Sequence, residues 1–192
     1  LQRDEDTFSV FRDHGIRVRT WHVPGHTPDH LAFLMEDSSQ RLHVFCGDTV
    51  FSAGCGRLFG GTAQQLHHSL ARLASLPEDS LFYPAHEYTL SNLRFAIHVE
   101  PDNPHAAAWR DRLLSLPEPR PPSVPTSIAT ERLINPFLRA ATGVFQTNVS
   151  IPDFRKEFQS HDLVGILRKM KDQKISKLYK CIIIKIFYLS LL

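Results

Sequence analysis

The sequence predicts an α+β fold, in which short strands come first along the chain and helices follow. Three segments with alternating or contiguous apolar residues predict strands, namely Ile16–His22, His30–Met35 and Arg41–Cys46. A stripe of leucines at helical spacing within Thr62–Leu76 predicts the first helix. A glycine-rich loop lies between them, in the stretch FCGDTVFSAGCGRLFGG. Strands followed by helices are typical of the α+β class.

The composition is that of a globular protein. The 192 residues are 42% hydrophobic and 22% charged, and the formal net charge of +2 is too small to predict nucleic-acid binding. Cys46, Cys55 and Cys181 form no CxxC motif and no even set, which favours a reducing compartment. We expect a monomer with no nucleic-acid or membrane partner, located in the cytoplasm, with mitochondria as the alternative. The chain begins without Met and with no visible signal peptide, so we expect it to continue something longer.

Turn and capping residues set the boundaries of the predicted elements. Leu1–His14 is polar and is interpreted as a connection. Thr62 and Gln65 have the spacing of a capping box, and Pro77 follows the helix that they begin. Proline recurs through Pro117–Pro125, which predicts a stiff, extended connector. The remaining predicted elements are a strand at Leu81–Tyr83, a helix at Thr89–Val99, a helix from Pro104 to about Leu116 capped by Asn103, a short helix at Ser127–Ile134 that NPFLR ends, and a last helix at Asp162–Asp172.

Three loops at strand ends carry candidate metal ligands. His26 lies in PGHTPDH, Asp48 in GDT and His86 in AHEYT. Imidazole and carboxylate suit zinc, iron and manganese, and loops at the ends of adjacent strands can converge. Taken singly, Asp48 could cap a turn and His26 could be structural. His30 could lie in the core or support a ligand.

These motifs resemble one family. PGHTPDH, FCGDTVFSAGCGRLFGG, PAHEYTLSNLRFA with VEPDN, and ERLINPFLR occur in the order seen in the hydroxyacylglutathione hydrolases (glyoxalase II) of the metallo-β-lactamase superfamily. The resemblance runs from about Ile16 to Arg139 and resumes weakly at Leu163–Asp172. It implies the C-terminal part of a metallo-β-lactamase αββα sandwich over residues 1–88. It also implies an α-helical glutathione-binding domain over 89–172, which leaves an unmatched tail over 173–192.

The resemblance implies a binuclear metal centre. His26 would ligate the first ion and His86 the second, while Asp48 would bridge them and act as the catalytic carboxylate. Two divalent ions are implied, with zinc favoured and iron or manganese as alternatives. The family's HxHxDH motif, which supplies the other ligands, has no counterpart in residues 1–22.

The resemblance also implies a substrate site for a glutathione thioester. Arg57 and Tyr88 would contact the glutathione moiety, and Arg168 and Lys171 at the pocket rim would clamp its glycine carboxylate. Phe59 departs from the family, which often has an aromatic residue with a hydroxyl there.

The implied activity is hydrolysis of S-2-hydroxyacylglutathione, such as S-D-lactoylglutathione, to glutathione and D-lactate. A hydroxide between the two metals would attack the thioester carbonyl, in a step of methylglyoxal detoxification. Two alternatives stay open. One is a related glutathione-dependent enzyme of the same fold, and the other is a truncated, inactive chain that binds glutathione conjugates or a partner.

Overall fold

A single six-stranded sheet organises the computed structural model, which describes residues 6–10, 16–149 and 162–173. The strands lie in the sheet in chain order, all neighbours antiparallel except the parallel fourth and fifth. They are β1 (Thr7–Val10), β2 (Ile16–His22), β3 (Leu31–Glu36), β4 (Leu42–Gly47), β5 (Leu81–Pro84) and β6 (Thr126–Ser127).

Six helices are described. They are α1 (Ala63–Ala74), α2 (Thr89–Val99), α3 (Pro104–Leu114), α4 (Ile128–Ile134), α5 (Pro136–Ala141) and α6 (162–173). No helix in the described ranges is long and apolar enough to cross a membrane.

The main core lies between one face of the sheet and the helices. Alternate residues of β3 and β4 point into it, so Leu34 and Val44 are buried while Phe45 faces outward and stacks on Tyr83. The leucine stripe of α1 supplies the opposite side, and α1 packs on α5. Val164 of α6 belongs to the same core, so α6 is anchored by packing as well as by polar contacts.

Most predicted elements are confirmed with shifts of one or two residues at their ends. The α1 capping box is present, with the Thr62 hydroxyl accepting from the Gln65 amide and the Gln65 side chain accepting from the Thr62 amide. Asn103 caps α3 as predicted. The part of the tail beyond residue 173 lies outside the described residues.

One prediction of secondary structure is wrong, and two elements were not predicted. Thr7–Val10 was expected in a connection but pairs with β2 as an edge strand, because backbone pairing needs no apolar pattern. The Thr126–Ser127 strand was not predicted. NPFLR ends α4 as predicted, but it also begins α5, which was not predicted, since Asn135 caps both and Pro136 fits the first turn of α5.

A buried polar network holds the turn after Asp48. The Glu131 carboxylate accepts from the Ala53 amide at 2.9 Å, from the Thr126 hydroxyl at 2.8 Å and from the Asn135 amide group at 2.9 Å. Asn135 also donates to the carbonyl of Gly54 at 2.9 Å. Burial raises the pKa of the Glu131 carboxyl. This network fixes the backbone between the sheet and the helices.

Asn135→Ala should destabilise the protein by about 2–4 kcal/mol, because it removes a helix cap and leaves buried carbonyls without their donor. Asn103→Ala removes a helix cap at an exposed position and should cost about 1 kcal/mol. Urea denaturation with matched m-values measures both. Equal costs for the two variants would contradict the bracing role of Asn135.

Candidate active site

The sheet topology brings the three candidate metal ligands to one edge. The β2–β3 loop and the end of β4 share that edge because β3 and β4 are antiparallel, and β5 ends beside β4 because those two strands are parallel. His26 Nε2 lies 3.2 Å from Asp48 Oδ2, and His86 Nε2 lies 3.6 Å from Asp48 Oδ1. The Asp48 carboxylate therefore stands between the two histidines, with one oxygen towards each.

The hydrogen bond of His26 fixes which ring nitrogen faces Asp48. His26 Nδ1 lies 2.8 Å from the Arg57 carbonyl oxygen, which can only accept, so Nδ1 carries the proton. In the neutral ring, Nε2 then presents a lone pair to the Asp48 carboxylate. Two acceptor atoms at this distance repel each other unless a cation or a proton lies between them. A histidine whose other ring nitrogen donates to a backbone carbonyl is a common metal ligand.

The donor chemistry fits a divalent cation on each side of Asp48. Asp48 Oδ1 is buried and has no hydrogen-bond partner in the described part of the chain. The position on each side of Asp48 nevertheless has only two donors, one histidine and Asp48 itself. Zinc usually takes three or four protein ligands. Among residues 6–10, 16–149 and 162–173, no group of three or more His, Cys, Asp or Glu side chains has the geometry of a metal site. Among the described residues, these three side chains would supply only part of the ligands of a metal site.

Gly56 allows the glycine-rich loop to pack directly against the candidate ligands Asp48 and His26. Its amide donates to the Asp48 carbonyl at 2.9 Å. A Cβ at Gly56 would lie 2.2 Å from that carbonyl oxygen and 2.9 Å from His26 Nδ1, which no side chain could tolerate. The glycine loop thus connects the ligands to Arg57.

One further histidine and two aromatic side chains complete this end. Tyr88 stacks on His86 with ring centroids 5.2 Å apart, and Phe51 contacts the edges of both rings. His30 Nε2 lies 3.3 Å from the Asp48 amide and 3.4 Å from the Cys46 carbonyl, and burial lowers its pKa. His30 therefore supports the backbone of Asp48.

A cleft of about 580 Å³ brings all the predicted site side chains together. The predicted residues that line it are His26, Asp48, Arg57, His86, Tyr88, Arg168 and Lys171. His67 and His68 of α1 are not among its lining residues.

The cationic end of the cleft is built by α6. Arg168 Nη1 donates to the Cys55 carbonyl at 2.9 Å and Nη2 to Asp172 at 2.9 Å, while its Nε is buried without a partner in the described residues. Both Arg168 and Lys171 are at most 5% exposed. They line the inner wall of the cleft, whereas the resemblance implied a place at its rim.

Lys171 is a buried ammonium group. Its Nζ donates to Asn92 Oδ1 and lies 5.8 Å and 5.6 Å from the ring centres of Phe95 and Phe137. Burial, and secondarily the nearby Arg168 charge, lowers the pKa of Lys171 to about 7. No carboxylate pairs with it among the described residues, so an anion entering the cleft would supply the missing charge.

Sequence reasoning missed Asn92 and Asp172. Asn92 is 2% exposed on the apolar face of α2, beside Leu93 and Ala96, and it donates to the Ser52 carbonyl at 2.8 Å. An amide on an otherwise apolar helix face was the available signal. Asp172 pairs with Arg168 at i, i+4 spacing, for which the predicted last helix was the available signal, and with Arg57, which no local pattern indicates.

Comparison with known families finds one match, over residues 87–174, to a family described as hydroxyacylglutathione hydrolase C-terminus. A hydroxyacylglutathione hydrolase of Neisseria meningitidis serogroup A is 54% identical over 123 residues, covering 64% of this chain and 47% of that protein. Those of Shewanella loihica and Tolumonas auensis are 47% and 43% identical over 152 and 173 residues, 79% and 88% of this chain. The chain spans 56% and 64% of these two relatives.

Solved structures show the same fold. A metallo-β-lactamase from Staphylococcus aureus matches 86% of this chain and 37% of its own, with a TM-score of 0.51 and 19% identity. ETHE1 from Myxococcus xanthus matches 88% of this chain and 51% of its own, with a TM-score of 0.52 and 24% identity. The predicted fold class, α+β with a metallo-β-lactamase-like part, is thereby confirmed.

Lys171→Met should stabilise the protein at low pH, because it removes a charge that is costly to bury. The pKa of Lys171 falls from 10.5 to about 7 on folding, so the unfolded chain binds more protons between these values and wild-type stability rises with pH there. We expect a gain of about 1–4 kcal/mol at pH 6 that shrinks towards pH 10.

Denaturation of both proteins across this pH range provides the measurement. Lys169→Met on the exposed side of the same helix is the matched control and should show no such trend. A stability difference that stays constant from pH 6 to pH 10 would contradict the charged, buried state of Lys171.

Proposed function

We propose, from the premise that this chain belongs to the hydroxyacylglutathione hydrolase family, that its cleft serves the hydrolysis of S-2-hydroxyacylglutathione thioesters. S-D-lactoylglutathione is the proposed substrate, and glutathione and D-lactate are the products. This is the thioester-cleaving step of methylglyoxal detoxification. The activity is proposed for the whole protein, since the chain spans 47–64% of the length of these relatives.

One observation carries the proposal. A single cleft joins the His–Asp–His donor set at one end to the buried cations Arg168 and Lys171 at the other. Glutathione is an anionic tripeptide with two carboxylates, and the scissile thioester lies away from them at its cysteine. Such a ligand needs cationic groups at one end of its site and the reactive groups at the other.

The residues divide the work of binding between them. Lys171 and the free Nε of Arg168 would receive the glycine carboxylate deep in the cleft. Arg57 is half exposed at the mouth and would contact the same ligand by charge-assisted hydrogen bonds. Tyr88, also half exposed, would donate its hydroxyl to the peptide backbone of glutathione.

Two divalent ions are the proposed cofactors, with zinc favoured over iron and manganese. His26 with Asp48 would hold one ion and Asp48 with His86 the other, and each needs further ligands. When bound, such ions activate water as the nucleophile and polarise the thioester carbonyl. His30 and the Arg57 carbonyl would keep Asp48 and His26 oriented.

The thiols of the described residues are not suited to act as nucleophiles. Cys46 and Cys55 are both buried, and burial raises the pKa of each, that of Cys46 to about 12. Their unpaired state supports a reducing compartment, so we propose the cytoplasm, with mitochondria as the alternative. We also propose a monomer and a division at residue 88 between the metal-ligand part and the helical part.

An assay of the chain with S-D-lactoylglutathione and added zinc separates hydrolysis from binding alone. Turnover supports the thioesterase. Binding of S-methylglutathione without turnover supports the alternative, a chain that recognises glutathione conjugates without hydrolysing them. The small number of metal donors, two for each ion with Asp48 counted in both pairs, favours this alternative.

Asp48→Asn should lower zinc affinity at least 100-fold and reduce any turnover by a similar factor, because both donor pairs share this carboxylate. Zinc bound per chain is measured by elemental analysis after dialysis, alongside hydrolysis. Asp29→Asn changes an exposed acid nearby and should alter neither. Full zinc retention in Asp48→Asn would refute the shared-ligand role.

Arg57→Ala should weaken S-methylglutathione binding about tenfold and leave kcat nearly unchanged, because a lost charge-assisted hydrogen bond acts on binding. Isothermal titration calorimetry measures the affinity, and separate values of KM and kcat show whether the hydrolysis step changes. Arg41→Ala, which removes a surface cation near Asp79, is the control. A fall in kcat at constant affinity would contradict the binding role.

A further inference from the structure

Asp172 occupies the position between the two arginines of the cleft. Its Oδ1 accepts from Arg168 Nη2 at 2.9 Å and lies 3.3 Å from Arg57 Nε. Arg57 and Arg168 come from different parts of the chain, the glycine loop and α6. One carboxylate oxygen thus joins the mouth of the cleft to its inner wall.

We propose that Asp172 is an internal competitor for the substrate carboxylate and thereby determines which anions the cleft accepts. In the free protein it engages Arg57 through Nε, and an incoming carboxylate competes with it for that guanidinium group. This inference rests on the proposed glutathione site, whose cations it concerns, and it assigns to Asp172 a role in selectivity.

The two arginines differ in how firmly they are held. Arg168 is 4% exposed in its side chain, donates to the Cys55 carbonyl and lies over the ring of Phe137 at 5.6 Å. Arg57 has a side chain that is 51% exposed, and Asp172 is its side-chain partner in the described residues. Ligand binding should therefore release Arg57 from Asp172 and leave Arg168 in place.

The energies make such an exchange feasible. The Arg57–Asp172 pair is open to water, and pairs of this kind contribute little, so a ligand can break it at small cost. Lys171 donates to Asn92 and forms no ion pair with Asp172 in the described residues, which leaves its charge available to the ligand. An anion that contacts Arg57 alone therefore gains less from the exchange than a carboxylate that contacts both Arg57 and Lys171.

Asp172→Asn is the direct test, because the amide keeps the size of the side chain and removes its charge. Affinities for S-methylglutathione and for inorganic phosphate are measured by isothermal titration calorimetry at low salt. We expect roughly two- to fivefold tighter binding of both, with a larger relative gain for phosphate. Asp102→Asn, an acid outside this cleft, is the matched control and should change neither affinity.

The same comparison in an Arg57→Ala background tests the mechanism. The gain should disappear there, because Arg57 is the cation that Asp172 withholds, while Arg168 stays in place with or without the Asp172 charge. A gain of equal size in that background would show a general charge effect and would overturn the proposal. Thermal denaturation confirms that each variant is folded.

The remaining outcomes are also decisive. Weaker binding in Asp172→Asn would overturn the proposal, since it would show that Asp172 orients the arginines for the ligand. Unchanged binding would overturn it too, since it would show that Asp172 does not compete with the ligand. If S-methylglutathione binds neither protein while phosphate binds Asp172→Asn more tightly, the glutathione assignment fails and the role of Asp172 is supported.

Discussion

The turn from Asp48 to Arg57 is the constraint on which both ends of the cleft depend. At its start it presents the carboxylate between two histidines, and at its end the Arg57 carbonyl fixes the ring of His26. Between them, the Cys55 carbonyl accepts from Arg168 of α6. A displacement of this turn would move the ligand pair and the cationic wall together, so the two ends are geometrically coupled.

The turn is held from beneath by polar groups that have no contact with water. The Glu131 carboxylate and the Asn135 amide group satisfy backbone groups of residues 51–54, including Ala53, whose positive φ of 55° is uncommon for a residue with a side chain. A fully satisfied buried network of this kind rigidifies its surroundings. It links the short helices α4 and α5 to the site, which explains why polar residues occupy the core there.

The sequence was sufficient to predict most secondary-structure elements and the loops that carry the candidate ligands. It was insufficient to predict the contacts between distant segments. Strand ends were predictable because glycine, proline and aspartate mark turns, and Asp48 followed from its place after an apolar run. The helix α5 was missed because Asn135 and Pro136 signal both an end and a beginning. The burial of Lys171 and its bond to Asn92 could not be predicted, because the spacing of α6 alone does not say which helix covers it.

The two ends of the cleft differ in how completely the described residues build them. At the cationic end, Arg57, Arg168 and Lys171 are held by backbone carbonyls, ring faces and Asp172, and among the described residues Lys171 has no carboxylate partner. At the other end, His26 and His86 each share only Asp48 as a second donor. The proposed recognition of an anionic thioester would therefore use residues that the structure describes, whereas the proposed hydrolysis would need further metal ligands. Binding and chemistry should accordingly be separable in this chain, because the first does not depend on the second.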